Sequence, residues 1–438
     1  MKPRALAIEL LGRLEATDAW LTPLLDARLS EAPFPDARDA GLVTELTYGV
    51  TRRRLALDFA LARVSDRRLE TLEDRVLAAL RVGAYQLYYS RVPARAAVAE
   101  TVGAVKELGL SRAAGFVNAV LRKLAALPAQ PLPPRASPVE HLAVRESHPA
   151  WLVERWRGAF GVQAAEAMLV ADNVPPPLVV RANSRRTSRP ALAELLAEAG
   201  LDARPTRHAP AGLLLGSPGR VRALVGFAEG LWQVQDEAAQ LVAHYAELRA
   251  GARVLDACAA PGGKTCQLAE RGPVVAMDVH ARKLEAVRAE ASRLGLADQV
   301  TLLVHDARSA LPAGLGRFDA VLLDAPCSGL GTLRRNPELR YRRSEEDIRR
   351  LAGLQAELLA NVQAAVAPGG LLVYAVCSTE REEGPEQLAG FLAAHRDFAL
   401  EPPRGPAATD CPLEAGCLRT LPGPEGMDGF FAARLRRR

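Results

Sequence analysis

The stretch VLDACAAPGGKT, residues 254–265, is typical of a strand that ends in a small-residue loop and continues into a helix. Ala259, Ala260, Gly262 and Gly263 would let the backbone approach a ligand closely at the start of that helix. The stretch has neither the GxGxxG pattern of dinucleotide-binding loops nor the GxxxxGK[ST] pattern of phosphate-binding loops. A tight turn without a ligand is the alternative interpretation.

The sequence on the C-terminal side of this stretch continues the pattern of an α/β domain. From Gly251 onward, helical segments alternate with short apolar runs, and the clearest of the helical segments is 281–295. In an open α/β sheet, ligands bind beyond the carboxyl ends of the strands, so the residues that end each run are the informative ones. Five runs are predicted as buried strands, namely 253–258, 274–278, 300–306, 318–324 and 371–377.

Three of these strands end in an aspartate. Asp278 lies 22 residues beyond Asp256, a spacing that fits an acidic residue holding ribose hydroxyls. Asp306 is a candidate acceptor for an adenine amino group, and Asp324 ends the next strand. Each aspartate alone could be a helix N-cap. The three together favour a pocket for an adenosine-bearing cofactor.

Two cysteines follow the last two predicted strands, Cys327 within LLDAPCSGLGTLRRNPELRYRR (322–343) and Cys377 within LLVYAVCSTEREE (371–383). A thiolate that adds to carbon 6 of cytosine turns carbon 5 into a nucleophile towards a methyl donor. Such catalysis also needs a proton donor near ring nitrogen 3 and a base for the carbon 5 proton. A single buried cysteine is more often a packing residue, but two beside Asp324 favour covalent catalysis. The residues alone leave open which cysteine is the nucleophile.

The rest of the chain divides by composition and periodicity. Residues 1–127 show apolar residues at helical spacing throughout, and residues 128–138 form a proline-rich linker. Residues 139–248 mix helices with short strands, which are predicted in PPPLVVRAN, LLLGS and VGFAEGLWQVQ, and they fit a small α+β domain. Residues 249–438 form the catalytic α/β domain.

Composition excludes several classes of protein. The 438 residues carry a net charge of +5, which does not indicate a general polyanion binder. Six scattered cysteines suit neither a disulfide framework nor a zinc site. No apolar run is long enough to span a membrane, and the charged N-terminal segment does not resemble a signal peptide. We therefore expect a cytoplasmic protein without a metal ion and without a membrane partner.

Several motifs together resemble the RNA 5-methylcytosine methyltransferases, with the fullest match to the bacterial RsmB (Sun/Fmu) type that modifies small-subunit ribosomal RNA. They are LDACAAPGGKT, LLDAPCSGLGTLRRNPELRYRR, YAVCSTEREE, LPGPEGMDGFF and the lead-in VQDEAAQLVA. LTYGVTRRR, LRVGAYQLYYSRVPARAAVAETV and GFVNAVLR are similar to the NusB-like N-terminal domain of that family. The resemblance implies a NusB-like helical RNA-binding domain, a small α+β domain and a Rossmann-like methyltransferase domain.

The resemblance also implies roles for individual residues. Cys377 would be the nucleophile, Cys327 would assist product release, and Asp324 would hydrogen-bond the cytosine. Val376 and His280 depart from the residues usual in the family without removing a required group. The cofactor would be S-adenosyl-L-methionine, held by Cys258, Ala259, Ala260, Pro261, Gly262, Gly263, Lys264, Asp278, Asp306 and Asp324.

Clustered arginines are the remaining feature. The chain holds 51 arginines and five lysines, and the arginine fork suits phosphate contacts. We expect Arg334 and Arg335 to border the active-site mouth and to contact the RNA backbone near a flipped-out cytosine. Solvated surface charge is an equally good interpretation of any one cluster. The expected partner is small-subunit ribosomal RNA before full assembly, bound by a monomer; transfer RNA methylation and a non-catalytic assembly factor are the alternatives.

Overall fold

The structure is a computed structural model that describes residues 1–31, 34–216, 221–424 and 426–438. The chain forms two compact units, the first made of 1–175 with 333–342 and the second of 176–332 with 343–438. The predicted limit at residue 139 does not coincide with the division at 175, and the predicted domain limits stay a prediction. None of the described helices has the length and apolar character needed to span a bilayer.

Helices dominate the first unit and alternate with strands in the second. In chain order the described α-helices are α1 (Pro3–Ala16), α2 (Leu21–Glu31), α3 (Ala37–Arg52), α4 (Arg54–Ala62), α5 (Asp74–Tyr89), α6 (Ala94–Glu107), α7 (Ser111–Ala125), α8 (Pro138–Arg145), α9 (Ala150–Phe160), α10 (Val162–Ala171), α11 (Arg189–Glu198), α12 (Glu237–Tyr245), α13 (Gly263–Ala269), α14 (Ala281–Leu294), α15 (Leu339–Arg342), α16 (Glu345–Val362), α17 (Pro385–Ala394) and α18 (Ala407–Asp410).

The strands all belong to the second unit and form a smaller and a larger sheet. In chain order they are β1 (Leu178–Ala182), β2 (Ala203–Pro205), β3 (Gly212–Leu215), β4 (Trp232–Val234), β5 (Val254–Asp256), β6 (Val274–Asp278), β7 (Val300–Val304), β8 (Phe318–Asp324), β9 (Val366–Val376), β10 (Phe398–Leu400), β11 (Leu413–Glu414), β12 (Cys417–Arg419) and β13 (Phe431–Arg437).

The first unit is helical, as the apolar periodicity of its sequence predicts. One core draws buried apolar residues from α1 to α7, with Leu46, Leu57, Leu80 and Leu121 among its fully buried residues. The segments HPAWLVERWRGAFG (148–161) and AAEAMLVA (164–171), whose sequences also predict helices, hold α9 and most of α10.

The smaller sheet is antiparallel, with the order β2-β3-β1-β4 among the described residues. Two of the three predicted segments hold the strands expected of them, although Ser217 of LLLGS lies outside the described residues. The prediction for VGFAEGLWQVQ was too long, because only Trp232–Val234 pairs with β1. The preceding residues turn instead, and Gly226 and Gly230 adopt positive φ angles there.

The larger sheet has the order β11-β12-β13-β9-β8-β5-β6-β7, with β10 on the outer side of β13. Within this sheet β9, β8, β5, β6 and β7 run parallel to one another, which confirms the predicted α/β unit. Alternate residues of a strand face opposite sides of a sheet. Ala320 and Leu322 of β8 accordingly pack in one core with residues of α12 to α14, whereas Val321 and Leu323 pack in another with residues of α16.

Candidate active site

The loop between β5 and α13 has a backbone that requires glycine. Gly262 adopts φ +105°, and a Cβ atom on it would lie 3.2 Å from the Cα of Val287. Positive φ strains residues with a Cβ, so both the conformation and the space favour glycine at this position. The neighbours Ala259 and Ala260 are also small. The loop therefore leaves space for a ligand to approach its backbone without bulky side chains in the way.

A buried hydrogen bond joins the end of β5 to the first turn of α13. The hydroxyl of Thr265 donates to Asp256 at 2.7 Å, and Asp256 is 1% exposed. Burial raises the pKa of Asp256 to about 7, opposed by the Thr265 hydrogen bond and supported by the charge of Asp324. The sequence prediction used Asp256 only to measure a spacing. The structure gives it a role in holding the loop.

The predicted cofactor aspartates lie at neighbouring strand ends. The carboxylate of Asp278 accepts from the backbone N–H of Ala260 at 3.3 Å and of His280 at 2.9 Å. It is half-buried and has lone pairs left for ribose hydroxyls. Asp306 instead accepts from the side chain and backbone N–H of Arg308, which lowers its pKa to about 2. Its contact with adenine stays a prediction.

Lys264 and Asp324 form an ion pair at the carboxyl end of β8. The ammonium nitrogen lies 2.7 Å from a carboxylate oxygen and 4.9 Å from the centroid of the Phe430 ring. Burial alone would lower the pKa of Lys264, but the charge and hydrogen bond of Asp324 outweigh it, so the pKa is raised. Lys264 therefore stays protonated. The sequence prediction placed it only in the cofactor loop and missed its partnership with Asp324.

The two predicted cysteines meet where β8 and β9 end. The strands are parallel with Asp324 opposite Ala375, so the residues that follow each strand emerge side by side. The sulfur atoms of Cys327 and Cys377 lie 3.3 Å apart, and both cysteines are free thiols. The hydrogen bond to Cys377, followed by burial, raises the pKa of Cys327 well above its ordinary value. The two thiols therefore form one hydrogen-bonded pair, in which either sulfur can be the donor.

The structure places Cys258 beside the cofactor loop but gives its thiol no sign of reactivity. It is half-buried, and burial followed by the charge of Asp256 raises its pKa. A thiol with a raised pKa is a poor nucleophile. Its predicted place in the lining of the cofactor pocket is compatible with this, whereas a catalytic role is not.

The arginine-rich segment after Cys327 corrects one prediction. Residues 333–342 belong to the first unit, where Arg334 is 4% exposed and donates to the backbone carbonyl of Ala171 at 2.8 Å. A buried guanidinium has no surface on which to contact an RNA backbone, so the RNA contact predicted for Arg334 is not supported. Arg335 is half-buried, and its RNA contact stays a prediction. Tyr341 packs beneath the guanidinium of Arg54 and donates to Ser147.

The sequence prediction also missed Glu383, which accepts hydrogen bonds from the serine that follows each cysteine, Ser328 and Ser378. Glu383 is the last acidic residue of the run EREE. No local pattern separates it from Glu380 and Glu382. Its role depends on contacts with residues up to 55 positions away in the chain, so only the folded arrangement identifies it.

The sequence matches known protein families and relatives along nearly the whole chain. The sequence pattern of the NusB family matches residues 1–126, and that of the RsmF/B-like ferredoxin-like domain matches residues 148–222. The pattern described as 16S rRNA methyltransferase RsmB/F matches residues 243–436. Ribosomal RNA small subunit methyltransferase B of Pseudomonas putida is 40% identical, with 99% of this chain and 98% of that protein covered.

The chain belongs to the RsmB/F methyltransferase family. A probable ribosomal RNA small subunit methyltransferase B of Bacillus subtilis is 34% identical, with 99% of this chain and 98% of that protein covered. The crystal structure of the protein PH0851 superposes with a TM-score of 0.85 at 27% identity, covering 100% of this chain and 99% of that one. The family membership makes the chain an RNA methyltransferase that uses S-adenosyl-L-methionine. It also confirms the predicted combination of a NusB-like helical domain, a small α+β domain and a Rossmann-like domain.

Proposed function

We propose that this methyltransferase modifies carbon 5 of a cytosine in 16S ribosomal RNA through a covalent bond between Cys377 and carbon 6 of the ring. The observation that carries the proposal is the 3.3 Å approach of the Cys327 and Cys377 sulfurs at the ends of adjacent parallel strands. The Lys264–Asp324 ion pair lies at the end of the same strand β8. A nucleophile and proton-carrying groups in one place are what covalent catalysis on a pyrimidine needs.

The nucleophile in this proposal is the sulfur of Cys377. Its electron pair forms the bond to carbon 6, and the ring electrons shift towards nitrogen 3, which takes a proton. The product is an enamine whose carbon 5 is nucleophilic. The family resemblance supports this assignment, and the sulfur of Cys327 lies within hydrogen-bonding distance of Cys377.

The Lys264–Asp324 pair is suited to bind the cytosine and to supply a proton to it. A carboxylate accepts hydrogen bonds, and the exocyclic amino group of cytosine donates them. The raised pKa of Lys264 keeps a proton within 2.7 Å of Asp324. Asp324 would orient the amino group, and the pair would supply the proton that ring nitrogen 3 takes as Cys377 adds.

The residues of the predicted cofactor site fit S-adenosyl-L-methionine. S-adenosyl-L-methionine supplies, when bound, an electrophilic methyl group for carbon 5. Asp278 would accept from the ribose hydroxyls, and the loop of Cys258, Ala259, Ala260, Pro261, Gly262 and Gly263 would lie against the ligand. The glycine conformation at 262 and the small side chains beside it support that fit.

Cys327 is suited to the release step. The largest cause of its raised pKa is the hydrogen bond to Cys377. Once the Cys377 sulfur is bonded to carbon 6, this cause of the raised pKa is removed, and Cys327 would release its proton to solvent. The Cys327 thiolate would then take the carbon 5 proton. The freed electrons re-form the ring double bond between carbons 5 and 6, the bond to Cys377 breaks, and nitrogen 3 returns its proton.

The substrate assignment is supported by family architecture. The relatives from Pseudomonas putida and Bacillus subtilis carry the ribosomal small-subunit name over nearly the full length of this chain. The proposal includes a monomer that acts in the cytoplasm on small-subunit RNA before assembly is complete. The alternative enzymatic function is methylation of transfer RNA. The alternative non-enzymatic function is that of an assembly factor without catalysis.

A test uses the purified protein, a methyl-labelled donor, and 16S ribosomal RNA or transfer RNA, with bisulfite sequencing to locate 5-methylcytosine. We expect a single class of modified cytosine in 16S RNA, and none in the reaction with Cys377→Ala. Isothermal titration should show that this variant still binds S-adenosyl-L-methionine. Methylation at the normal rate by Cys377→Ala, or modification of transfer RNA alone, would contradict the proposal.

A further inference from the structure

A fully buried carboxylate lies behind the two cysteines. Glu383 is 0% exposed and precedes α17. One of its oxygens accepts from the backbone N–H of Ser328 at 2.7 Å and from the side-chain amide of Gln355 at 3.1 Å. The other accepts from the hydroxyls of Ser328 and Ser378, each at 2.5 Å. Four hydrogen-bond donors therefore converge on one carboxylate.

Two of these donors are the hydroxyls of the serines that directly follow the two cysteines. Ser328 follows Cys327 directly, and Ser378 follows Cys377 directly. The two hydroxyl oxygens lie 3.2 Å apart beside the same carboxylate oxygen. One side chain thus fixes both cysteine-bearing loops at the residue next to each sulfur.

A second layer of contacts fixes Glu383 itself. Gln355, on α16, also donates to the backbone carbonyl of Pro326 at 2.9 Å. The hydroxyl of Tyr374, on β9, donates to the backbone carbonyl of Glu383 at 2.6 Å and contacts the Gln355 amide oxygen at 3.1 Å. The carboxylate is therefore held from a helix and a strand as well as from the two loops.

Burying a carboxylate among neutral donors is costly unless its hydrogen bonds are satisfied. A neutral side chain would avoid that cost, so the retained charge calls for a functional reason. We propose that Glu383 is a positioning residue that clamps the two cysteine loops and thereby sets the 3.3 Å approach of the Cys327 and Cys377 sulfurs. This inference rests on the proposed covalent mechanism, since it assigns the clamp to the nucleophile and its partner.

The charge of Glu383 adds an electrostatic effect to the clamp. The pKa of Cys327 is raised first by its hydrogen bond to Cys377, then by burial, and further by the charges of Cys377 and Glu383. Like charges nearby disfavour a thiolate. Glu383 therefore helps to keep Cys327 as the thiol.

The decisive variant is Glu383→Gln, which keeps the size of the side chain and removes its charge and one acceptor oxygen. Both serine hydroxyls can rotate to accept from the new amide, so the fold should tolerate the change. We expect the single-turnover methylation rate to fall about 100-fold, the size of effect that follows from small displacements of reacting groups. The dissociation constant for S-adenosyl-L-methionine and the KM for RNA should stay at wild-type values. Glu386→Gln, an exposed change in the same segment, is the matched control.

Alkylation of the two cysteines gives a second measurement. Its pH profile would not change if Glu383 had only a structural role. Iodoacetamide labelling is followed by mass spectrometry at each cysteine between about pH 6 and pH 10. In Glu383→Gln, labelling of Cys327 should begin at lower pH than in the wild type, because a neighbouring negative charge is gone. In Glu386→Gln the profile should match the wild type.

The outcomes separate this inference from the proposed function. If Cys377→Ala still methylates RNA, the covalent mechanism itself fails. If Cys377 is required but Glu383→Gln has the same rate and the same labelling profile as Glu386→Gln, the clamp is refuted. Should Glu383→Gln unfold in a thermal melt, the double variant Ser328→Ala/Ser378→Ala decides. That variant removes both hydroxyl donors and keeps the charge, and a wild-type rate from it would refute the clamp.

Discussion

Cys327 and Cys377 carry the same functional group, yet their surroundings give them different chemistry. Both end parallel strands, and nothing in the residue types tells which one attacks the ring. In the structure, the two sulfurs lie 3.3 Å apart, and the hydrogen bond between them, burial and nearby negative charge raise the pKa of Cys327. The sequence predicted that two cysteines act together. Their division of labour depends on contacts that only the fold creates.

Removal of the Cys327 sulfur should trap the reaction after the first bond has formed. In Cys327→Ala, Cys377 still adds to carbon 6, but the base proposed for the carbon 5 proton is missing, so the adduct does not break down. We expect a slowly migrating protein–RNA band on a denaturing gel, absent from Cys327→Ala/Cys377→Ala. Full turnover by Cys327→Ala without such a band would show that Cys327 has no part in release.

Among the strands of the larger sheet, the sequence predicted the parallel ones better than the antiparallel ones. The predictions for β6 and β8 agree with the structure at both ends, because buried parallel strands are continuous apolar runs with clear limits. No strand was predicted at 431–437, where three of the seven residues are arginines. In the structure β13 pairs antiparallel with β9, and Arg434 and Arg436 form ion pairs with Glu247 and Glu401. Those acidic partners are distant in sequence, so no local pattern could reveal the strand.

The loop that carries Cys327 is held by a close backbone approach that can be tested. A Cβ atom on Gly331 would lie 2.0 Å from the backbone carbonyl oxygen of Gly429. This distance is a steric clash. Gly331→Ala must therefore displace the Cys327 loop, and we expect at least a 10-fold loss of methylation rate, with a stability loss of about 1–3 kcal/mol of the kind caused by overpacking. Gly353→Ala is the control, because a Cβ atom there meets nothing within 4 Å. Equal rates for the two variants would contradict the prediction.

At the scale of the whole molecule, the chain path was the feature that the sequence did not predict. Residues 333–342 lie between two segments of the catalytic unit in the sequence but belong to the compact helical unit. Domain limits drawn from composition assume that each domain is one continuous segment. The arginines of RRNPELRYRR were predicted to border the active-site mouth, with solvated surface charge as the alternative, but Arg340 is fully buried and donates to the side-chain oxygen of Asn173 at 2.9 Å.

Arg334 and Arg335 should consequently respond differently to substitution. Arg334→Ala leaves the buried carbonyl of Ala171 without this donor, which costs about 1–3 kcal/mol. We expect a lower melting temperature for Arg334→Ala. We expect weaker RNA binding for Arg335→Ala, with a melting temperature close to that of the wild type. Thermal melts and RNA binding at fixed salt concentration check both. Reduced RNA affinity with unchanged stability in Arg334→Ala would restore the original prediction for that residue.

The stability of the whole protein should also depend on the buried carboxyl group of Asp256. Its pKa is raised from 3.8 to about 7 in the fold, so between those values the folded protein keeps a proton that the unfolded chain releases. Stability is therefore lost as the pH rises through that window and is constant above it, with a total of up to about 4 kcal/mol. Asp256→Asn imitates the protonated form and can keep the Thr265 hydrogen bond. Its gain in stability over the wild type should grow from about pH 4 to about pH 7 and then level off.

Asp319→Asn is a control of opposite sign, because the backbone N–H of Arg253 lowers the pKa of Asp319. That variant should lose stability relative to the wild type as the pH rises towards the ordinary aspartate pKa of 3.8, and the difference should stay constant above that pH. Urea unfolding at a series of pH values measures both differences, and a difference for Asp256→Asn that does not change with pH would contradict the burial of a protonated carboxyl group.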